Sequence, residues 1–306
     1  MSGIDRSLAN GEVATVAGVC AGRAVIITGA GQGLGRAHAL EFARQGARLV
    51  LNDVGPAAQA VADEIVAAGG QAVASIGDVS DWEYSAALVQ TAVENFGRLD
   101  TLVNNAGINR DRMLVTMSEQ EWDLVLKVNL KGHFAPLRHA ADHWRGLSKA
   151  GTPVAARVVN TSSGAGLLGS VGQGNYAAAK AGIAVLTQIA AVEFARYGIT
   201  VNAIAPSART PMTEAVFAEA MAKPDTGFDA MDPANVSPLV AWLGSDGSAG
   251  VTGRVFEVAG GEVSLADGWR HGLAATKDSR WEATELGDVV TDLIARSEPP
   301  APVYGA

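Results

Sequence analysis

Tyr176 and Lys180 are the residues of this sequence whose types and spacing most directly suggest chemistry. They lie four positions apart in a stretch that predicts a helix, so their side chains share one helical face, one turn apart. A phenol is a poor acid near neutral pH, because its ordinary pKa is about 10. A nearby ammonium favours the phenolate and lowers that pKa, which would make Tyr176 a usable general acid or base.

A serine lies just upstream of this helix. Residues 158–161 are a β-rich run that predicts a buried strand, and Ser162, Ser163 and a glycine-rich loop follow it. The hydroxyl of Ser163 could hydrogen-bond the oxygen that gains or loses the proton. Taken alone, Tyr-x-x-x-Lys is more often an amphipathic helix with a half-buried tyrosine and a solvated lysine, so the assignment depends on the rest of the chain.

Composition limits the classes of protein to which the chain can belong. Its 306 residues are 48% hydrophobic and 18% charged, which is typical of a globular protein with a large core. The formal net charge of −9 argues against nucleic acid as a partner. The one cysteine, Cys20, excludes an internal disulfide and a thiolate zinc site and favours the cytoplasm. No uncharged apolar run is long enough to span a bilayer, so we expect no membrane association.

A glycine-rich segment follows the first predicted strand. Residues 23–28 predict this strand, and residues 36–45 predict the helix that comes after the glycines. In a dinucleotide-binding fold, such glycines let the backbone approach a pyrophosphate at the N-terminus of the helix. The spacing here is T-G-x-x-x-G-x-G, and the alternative is a plain tight turn. We predict cofactor contacts from Gly29, Gln32, Gly33, Leu34 and Gly35.

Asp53 follows the second predicted strand, residues 47–51. It lies at the distance past the glycines where an acidic residue accepts hydrogen bonds from the adenosine ribose. Val54, Gly55 and Gln32 are not basic, and Asp53 would repel a 2′-phosphate, so we expect NAD rather than NADP. The alternative use of Asp53 is to cap the turn that follows it.

Strands and helices alternate over the first half of the chain. Helices are predicted at residues 57–68 and 81–96, and strands at residues 72–76 and 99–103. This alternation predicts a doubly wound parallel sheet of the α/β class, in which ligands bind beyond the carboxyl ends of the strands. The polar or glycine-containing segments that fall at predicted strand ends are the glycine turn, Asp53, Asp78, residues 104–107 and Ser163.

A long helix is predicted over residues 118–145, and it contains Asn129. His139 and His143 are four positions apart on it and could share a metal ion, but the central Glu of the zinc-protease pattern is missing. A polar helix face is the better interpretation, and we predict no metal site.

The C-terminal half contains predicted strands at residues 200–204 and 254–258 and a helix at residues 236–243. After Met212 a helix and a Gly/Pro-interrupted stretch up to Asp232 are interpreted as a mobile lid. No repeat or interdomain linker is visible. The expected organisation is a lead-in at residues 1–22, one domain at residues 23–264, and a tail at residues 265–306 with a helix at 282–295.

Taken together, these motifs resemble the classical short-chain dehydrogenase/reductase family over residues 23–262. The resemblance rests on TGAGQGLG at 28–35, NNAG at 104–107, Asn129, Ser163 and YAAAK at 176–180, in the order and spacing of the family. It implies a Rossmann-type sheet of seven strands, a small-molecule substrate, and a homotetramer or homodimer.

The resemblance also implies a role for each catalytic residue. Tyr176 would be the general acid/base, and Lys180 would lower its pKa and bind the nicotinamide ribose. Ser163 would orient the substrate oxygen. Asn129 would hold a water molecule of the proton relay.

Further residues would contact the cofactor. Asp78 and Val79 would lie beside the adenine, and Thr210 would contact the nicotinamide side. The segment before Thr210 reads Pro206-Ser207 where many members have Pro-Gly, and it is one residue shorter. The residues that would line the cofactor after the fourth strand are Asn105, Ala106 and Gly107.

NDVG at 52–55, NRDRM at 109–113 and GQGNY at 172–176 are similar to a narrower group, the (3R)-hydroxyacyl-CoA dehydrogenase part of multifunctional β-oxidation enzymes and bacterial relatives acting on steroids. This similarity implies an NAD(H)-dependent oxidoreductase that interconverts a secondary alcohol and a ketone, on a 3-hydroxyacyl-CoA or a hydroxysteroid. One alternative is an NADPH-dependent 3-oxoacyl reductase, against which Asp53 argues. Another is a non-catalytic regulator, against which Tyr176 and Lys180 argue.

Three arginines could meet a CoA phosphate or simply be solvated: Arg110, Arg112 and Arg209.

Overall fold

A mostly parallel β-sheet runs through the centre of the molecule. The computed structural model describes residues 18–212 and 221–305, and within these ranges eight strands form one sheet in the order β3-β2-β1-β4-β5-β6-β7-β8. All neighbouring strands are parallel except β7 and β8. In chain order, β1 to β8 are Ala24–Thr28, Arg48–Asp53, Gln71–Ile76, Thr101–Asn104, Ala156–Thr161, Ile199–Ser207, Val255–Ala259 and Glu262–Ala266.

Helices cover both faces of this sheet, which confirms the predicted doubly wound α/β fold. One face packs against α1, α2 and α8 through side chains such as Phe42, Ile65 and Val240, and the other packs against α3, α5 and α7 through Leu88 and Trp144. Strands buried on both faces are typical of parallel sheets, and every residue of β1 and β5 is buried. In chain order, α1 to α9 are Gly33–Arg44, Ala57–Ala67, Trp82–Phe96, Glu119–Val125, Gly132–Lys149, Gly164–Leu168, Gly174–Phe194, Ser237–Leu243 and Leu286–Arg296.

The strand order reverses between β1 and β4. From β1 the chain proceeds to β2 and β3 on one side, and it then crosses back to β4 on the other. A crevice forms at such a reversal, outside the carboxyl ends of the strands, and this is where open α/β sheets bind ligands.

The sheet has one strand more than the predicted seven. The extra strand, β8, is antiparallel to β7, and only Gly260 and Gly261 separate the two. Gly260 has φ +54°, a conformation that suits a tight hairpin turn. The Gly-Gly pair was a hairpin signal in the sequence. Because β8 ends at Ala266, the sheet extends past the domain boundary expected at residue 264.

The helix predicted over residues 118–145 is interrupted. A wide π-helical turn, Leu126–Lys131, joins α4 to α5 and carries Asn129. Ser118 caps α4 in a capping box with Glu121, so the helix begins where the prediction placed its start. The side chain of Asn129 is fully buried, which agrees with the tendency of π turns to occur at functional sites.

Helix α7 with its short 3-10 extension, Gly174–Tyr197, is long and apolar enough to cross a membrane by those two criteria alone. Core helices of other proteins pass the same test. Here Ala179, Ile183 and Ala190 of this helix are buried in the protein.

Beyond β8 the chain is largely exposed, and α9 starts at Leu286, four residues after the predicted start at Glu282. The predicted lid lies partly outside the described residues, because the description stops at Met212 and resumes at Met221.

Candidate active site

A cavity of about 450 Å³ opens at the carboxyl ends of the central strands. Its walls come from the loops that follow β1, β2, β3, β4, β5 and β6. The structure therefore brings together segments that are about 180 residues apart in the sequence, such as Gly29 and Thr210. The residues predicted from the sequence that line it are Gly29, Gln32, Gly33, Leu34, Asp53, Asp78, Val79, Asn105, Ala106, Gly107, Asn129, Ser163, Tyr176, Lys180 and Thr210.

Gly35 is the predicted cofactor residue that does not line the cavity. A Cβ on Gly35 would lie 2.0 Å from the carbonyl oxygen of Gly29 and 2.7 Å from Nδ2 of Asn105. Gly35 is therefore a packing position beneath the turn. Thr28 fixes the same region from the other side, because its Oγ1 accepts hydrogen bonds from the backbone N–H groups of Asn105 (2.9 Å) and Ala106 (3.0 Å).

The carboxylate of Asp53 is held by backbone donors. Its Oδ2 accepts from the N–H of Gly31 at 3.0 Å, and its Oδ1 accepts from the N–H of Gly55 at 3.3 Å. The second bond is the turn cap considered as an alternative, so Asp53 both caps the turn and lines the cavity. A carboxylate fixed in this way can accept hydrogen bonds from a ribose diol and would repel a phosphate at the same place.

Asp78 occupies the next strand end. Its Oδ1 accepts from the backbone N–H (2.8 Å) and the hydroxyl (2.6 Å) of Ser80, and Lys127 Nζ lies 3.3 Å from its Oδ2. Burial alone would raise the pKa of Asp78, but the Ser80 hydrogen bonds and the Lys127 charge outweigh it and hold the pKa below its ordinary value. Asp78 is therefore an ionised acceptor beside the buried Val79.

Asn129 presents an unused acceptor to the cavity. Its Nδ2 donates to the carbonyl oxygens of Ile108 (2.8 Å) and Val125 (3.0 Å). Its Oδ1 is buried and has no hydrogen-bond partner among the described residues. A Cβ built on Gly107 would lie 2.6 Å from this Oδ1 and 3.6 Å from Lys180 Nζ, so both polar atoms face the small space beside Gly107. A buried acceptor of this kind is suited to hold a water molecule.

Tyr176, Ser163 and Lys180 all line this cavity. The hydroxyl of Ser163 is close enough to the Tyr176 phenol to lower its pKa. Lys180 Nζ lies 5.5 Å from the centroid of the Tyr176 ring and donates to the carbonyl oxygen of Thr161 at 2.7 Å. Helix α7 thus holds the phenol and the amine on one face, β5 supplies the carbonyl of Thr161, and Ser163, just after β5, supplies the hydroxyl.

The expected lowering of the Tyr176 pKa by Lys180 is not found. Burial raises the pKa of Tyr176 above its ordinary value, the Ser163 hydrogen bond opposes this, and the charge of Asp111 adds to the increase. Burial also lowers the pKa of Lys180 to about 7. Burial disfavours the charged form of any ionisable group, so desolvation acts on both Tyr176 and Lys180. The spacing of the two residues in the sequence does not show this effect.

Thr210 lines the cavity beside the glycine turn. A Cβ on Gly33 would lie 3.4 Å from Thr210 Cβ. Its neighbour Arg209 pairs with Asp229 and donates to the carbonyl oxygen of Met221 at 2.8 Å. Arg209 is thus part of the local structure, and Arg112 likewise pairs with Glu121 at 3.1 Å.

Three polar residues to which the sequence analysis assigns no role are grouped at the site: Asn109, Asp111 and Gln173. Asn109 and Gln173 line the cavity, and both side-chain amides donate to Asp111 Oδ2, at 3.5 and 3.0 Å. The signal that could have found them was their position: Asn109 and Asp111 follow the NNAG segment, and Gln173 precedes Tyr176 by three residues.

His133 is a further buried residue that sequence reasoning missed. Its Nε2 accepts from the backbone N–H of Thr161 at 3.4 Å. Burial and the nearby Lys180 charge lower its pKa well below the ordinary value, so the imidazole is neutral. His139 instead stacks edge-on against Trp82, with 4.5 Å between ring centroids. Residues 18–212 and 221–305 contain no cluster of three His, Cys, Asp or Glu residues that could hold a metal ion.

A glycine-cradled crevice beside a Ser, Tyr and Lys group is the arrangement of a dehydrogenase that uses a nicotinamide nucleotide, and the comparisons agree. The family model for short chain dehydrogenases matches residues 23–220. The chain belongs to this family of oxidoreductases.

Several members of this family are similar to the chain over most of its length. The hydroxyacyl-CoA dehydrogenase ChsB1 of Mycobacterium tuberculosis is 47% identical, over 91% of this chain and 90% of that protein. The mouse peroxisomal multifunctional enzyme type 2 is 40% identical over 92% of this chain, but the match spans only 35% of the mouse enzyme. The crystal structure of a short chain dehydrogenase from Mycobacterium avium is 60% identical, with a TM-score of 0.88, over 94% of this chain and all of that one.

Proposed function

We propose that this protein is an NAD-dependent dehydrogenase that interconverts the 3-hydroxyl group of a 3-hydroxyacyl-CoA and the corresponding ketone. The observation that carries the proposal is that Asn129, Ser163, Tyr176 and Lys180 line the same cavity as the glycine turn. The choice of substrate is supported by the similarity to ChsB1, whose name includes hydroxyacyl-CoA dehydrogenase and which matches over nearly its whole length.

Each residue has a task that its geometry supports. The phenol of Tyr176 exchanges the proton with the substrate oxygen, and the hydroxyl of Ser163, which lines the cavity beside the phenol, holds that oxygen in place. Lys180 binds the nicotinamide ribose and faces Asn129 Oδ1 across the space beside Gly107, where a water molecule can connect them. The nicotinamide, when bound, supplies or accepts the hydride.

Asp53 supports NAD as the cofactor. The carboxylate is fixed at the end of β2 by Gly31 and Gly55, where it can bind the adenosine ribose hydroxyls. A Cβ on Gly31 would lie 2.8 Å from Asp53 Oδ2, so the turn and the carboxylate are fitted to each other. The same charge disfavours the NADPH-dependent 3-oxoacyl reductase.

The test is to supply purified protein with (3R)- and (3S)-hydroxyacyl-CoA, and with a hydroxysteroid, in the presence of NAD or NADP. We expect formation of reduced cofactor with the (3R)-thioester and NAD. A preference for NADP would support the reductase, activity on the steroid alone would replace the substrate class, and binding of NADH without turnover of any alcohol would indicate a regulator.

We also propose that the protein is a homotetramer or homodimer. Apolar side chains on α5 and α7 are exposed in the single chain, namely Phe134, Val185, Ile189 and Val192. Patches of this kind mark contact surfaces in soluble proteins. Light scattering on the purified protein measures the mass directly, and a monomer would contradict the proposal.

The single cysteine, Cys20, supports a reducing compartment such as the cytoplasm. Its thiol is buried and protonated, because burial raises its pKa to about 12.

A further inference from the structure

The last described residues of the chain return to the substrate end of the site. Tyr304 pairs with Ser170 in a short parallel bridge. The backbone N–H of Val171 donates to the carbonyl oxygen of Tyr304 at 2.9 Å, and the N–H of Tyr304 donates to the carbonyl oxygen of Gly169 at 3.3 Å. The exposed tail is therefore anchored on the segment of residues 164–172, which lies between Ser163 and Tyr176 and consists of α6 and a short loop.

Two side chains of the tail pack on glycines of this loop. A Cβ on Gly164 would lie 2.9 Å from the hydroxyl oxygen of Tyr304 and 3.0 Å from a carbon of its ring. A Cβ on Gly169 would lie 3.3 Å from Val303. Since Gly164 directly follows Ser163, the Tyr304 ring lies one residue from a side chain that lines the cavity.

The same loop is held at its other end by the segment after β4. The N–H of Arg112 donates to the carbonyl oxygen of Gly172 at 2.7 Å, and the next residue, Gln173, lines the cavity. Apolar side chains project from the loop and from the tail: Leu168, Val171 and Tyr304 are 38%, 47% and 47% exposed. Leu168 follows Ser163 by five residues and Val171 precedes Gln173 by two, so both lie within a few residues of side chains that line the cavity.

We propose that Tyr304 is a specificity-determining residue for the acyl part of the substrate. It holds the segment of residues 164–172, which is α6 and the loop after it, beside Ser163. With Leu168 and Val171 it forms an apolar wall that receives a long acyl group outside the cavity. The proposal rests on the proposed function and deepens it, because it selects thioesters with long apolar chains over short ones.

The experiment compares Tyr304→Ala, Tyr304→Phe and the control Trp269→Ala, which removes a fully exposed aromatic residue of the same tail. Each is assayed with a four-carbon and a sixteen-carbon 3-hydroxyacyl-CoA. In Tyr304→Ala we expect kcat/KM for the long substrate to fall about tenfold, mainly through KM, while that for the short one changes less than about twofold. Tyr304→Phe keeps the ring and should resemble Trp269→Ala and the unaltered protein, and NADH affinity should be the same in all.

An equal loss with both substrates, or no loss, would overturn the proposal. So would dissociation of the oligomer in Tyr304→Ala with an unchanged long-to-short ratio, because the tail would then serve subunit contact.

Hydrogen exchange keeps the two proposals apart. If no acyl-CoA is turned over by the unaltered protein, the proposed function fails, and the loop contact is judged by the amide of Val171. Its exchange must be at least about tenfold faster in Tyr304→Ala than in Trp269→Ala, since its acceptor is the carbonyl of residue 304. Equal exchange would overturn the inference on its own.

Discussion

The ammonium group of Lys180 donates to the carbonyl oxygen of Thr161, 2.7 Å away, at the end of the neighbouring strand β5. This bond fixes the amine in the wall of the cavity, where Lys180 is 2% exposed. An amine held in this way can bind a ligand hydroxyl, but the protein must bury its charge. Under the proposed function, Lys180 therefore binds the cofactor and is at the same time unfavourable for stability.

Replacing Lys180 with methionine should remove that cost together with activity. Burial lowers the Lys180 pKa to about 7 in the folded protein, against an ordinary 10.5, so between these values the unfolded chain binds a proton that the folded protein does not. The free energy of unfolding should therefore rise with pH, by about 2 kcal/mol between about pH 7 and pH 9, and this rise should be absent in Lys180→Met. Urea unfolding of both proteins without cofactor measures the difference, and parallel pH profiles would contradict it.

Tyr176→Phe should lower kcat at least about a hundredfold, because it removes the proton donor and leaves the ring in place. NADH affinity, measured by fluorescence titration, should change less than about twofold. Tyr197→Phe, at the far end of the same helical segment, is the matched control. Turnover that persists in Tyr176→Phe would refute the assigned role.

Asp111→Asn should shift the pH profile of kcat/KM. The negative charge of Asp111 is one of the causes that raise the pKa of Tyr176, so its removal should lower that pKa and move the corresponding limb of the profile to lower pH. Asparagine retains an acceptor for the amide of Gln173, which limits the structural change. Asp288→Asn, an exposed change in α9, should leave the profile unmoved. A profile that stays in place in Asp111→Asn would show that this charge does not reach the phenol.

Gly35→Ala should destabilise the protein by at least about 3 kcal/mol, because the new methyl group would lie 2.0 Å from the backbone oxygen of Gly29. Gly55→Ala is the control, since a Cβ there meets nothing within 4 Å. It should change the free energy of unfolding by less than about 0.5 kcal/mol. Chemical denaturation of the two variants gives the comparison, and a Gly35→Ala protein as stable as the control would show that the turn can open.

The parts of the fold and site that the sequence predicted are those with a local pattern. Alternating strands and helices, the glycine turn and the Tyr-x-x-x-Lys spacing are each readable over a few residues, and the parallel sheet then brings the strand ends together. Burial is not local. The raised pKa of Tyr176 and the lowered pKa of Lys180 come from desolvation by segments far apart in the chain, and no spacing shows this.

Contacts made across long sequence distances were missed for the same reason. Asp111 and Gln173 are 62 residues apart, and neither has a recognisable pattern that points to the other. The pairing of Tyr304 with Ser170 joins segments that have no shared signal in the sequence. Strand β8 is different, since the Gly260-Gly261 pair that forms its turn is a local hairpin signal in the sequence, whereas the family resemblance implies seven strands.

The wide turn at Leu126–Lys131 acts as a phase change in the helix. One extra residue per turn rotates everything beyond it by about 100° around the axis, so α4 and α5 present differently aligned faces to their surroundings. Asn129 lies in this turn, where its side-chain amide donates to the carbonyl oxygen of Val125 while its oxygen faces the space beside Gly107. A sequence that lost the additional residue would regain a regular helix and swing this oxygen more than a quarter of a revolution away. The position of the Asn129 oxygen in the cavity therefore depends on the π-helical turn.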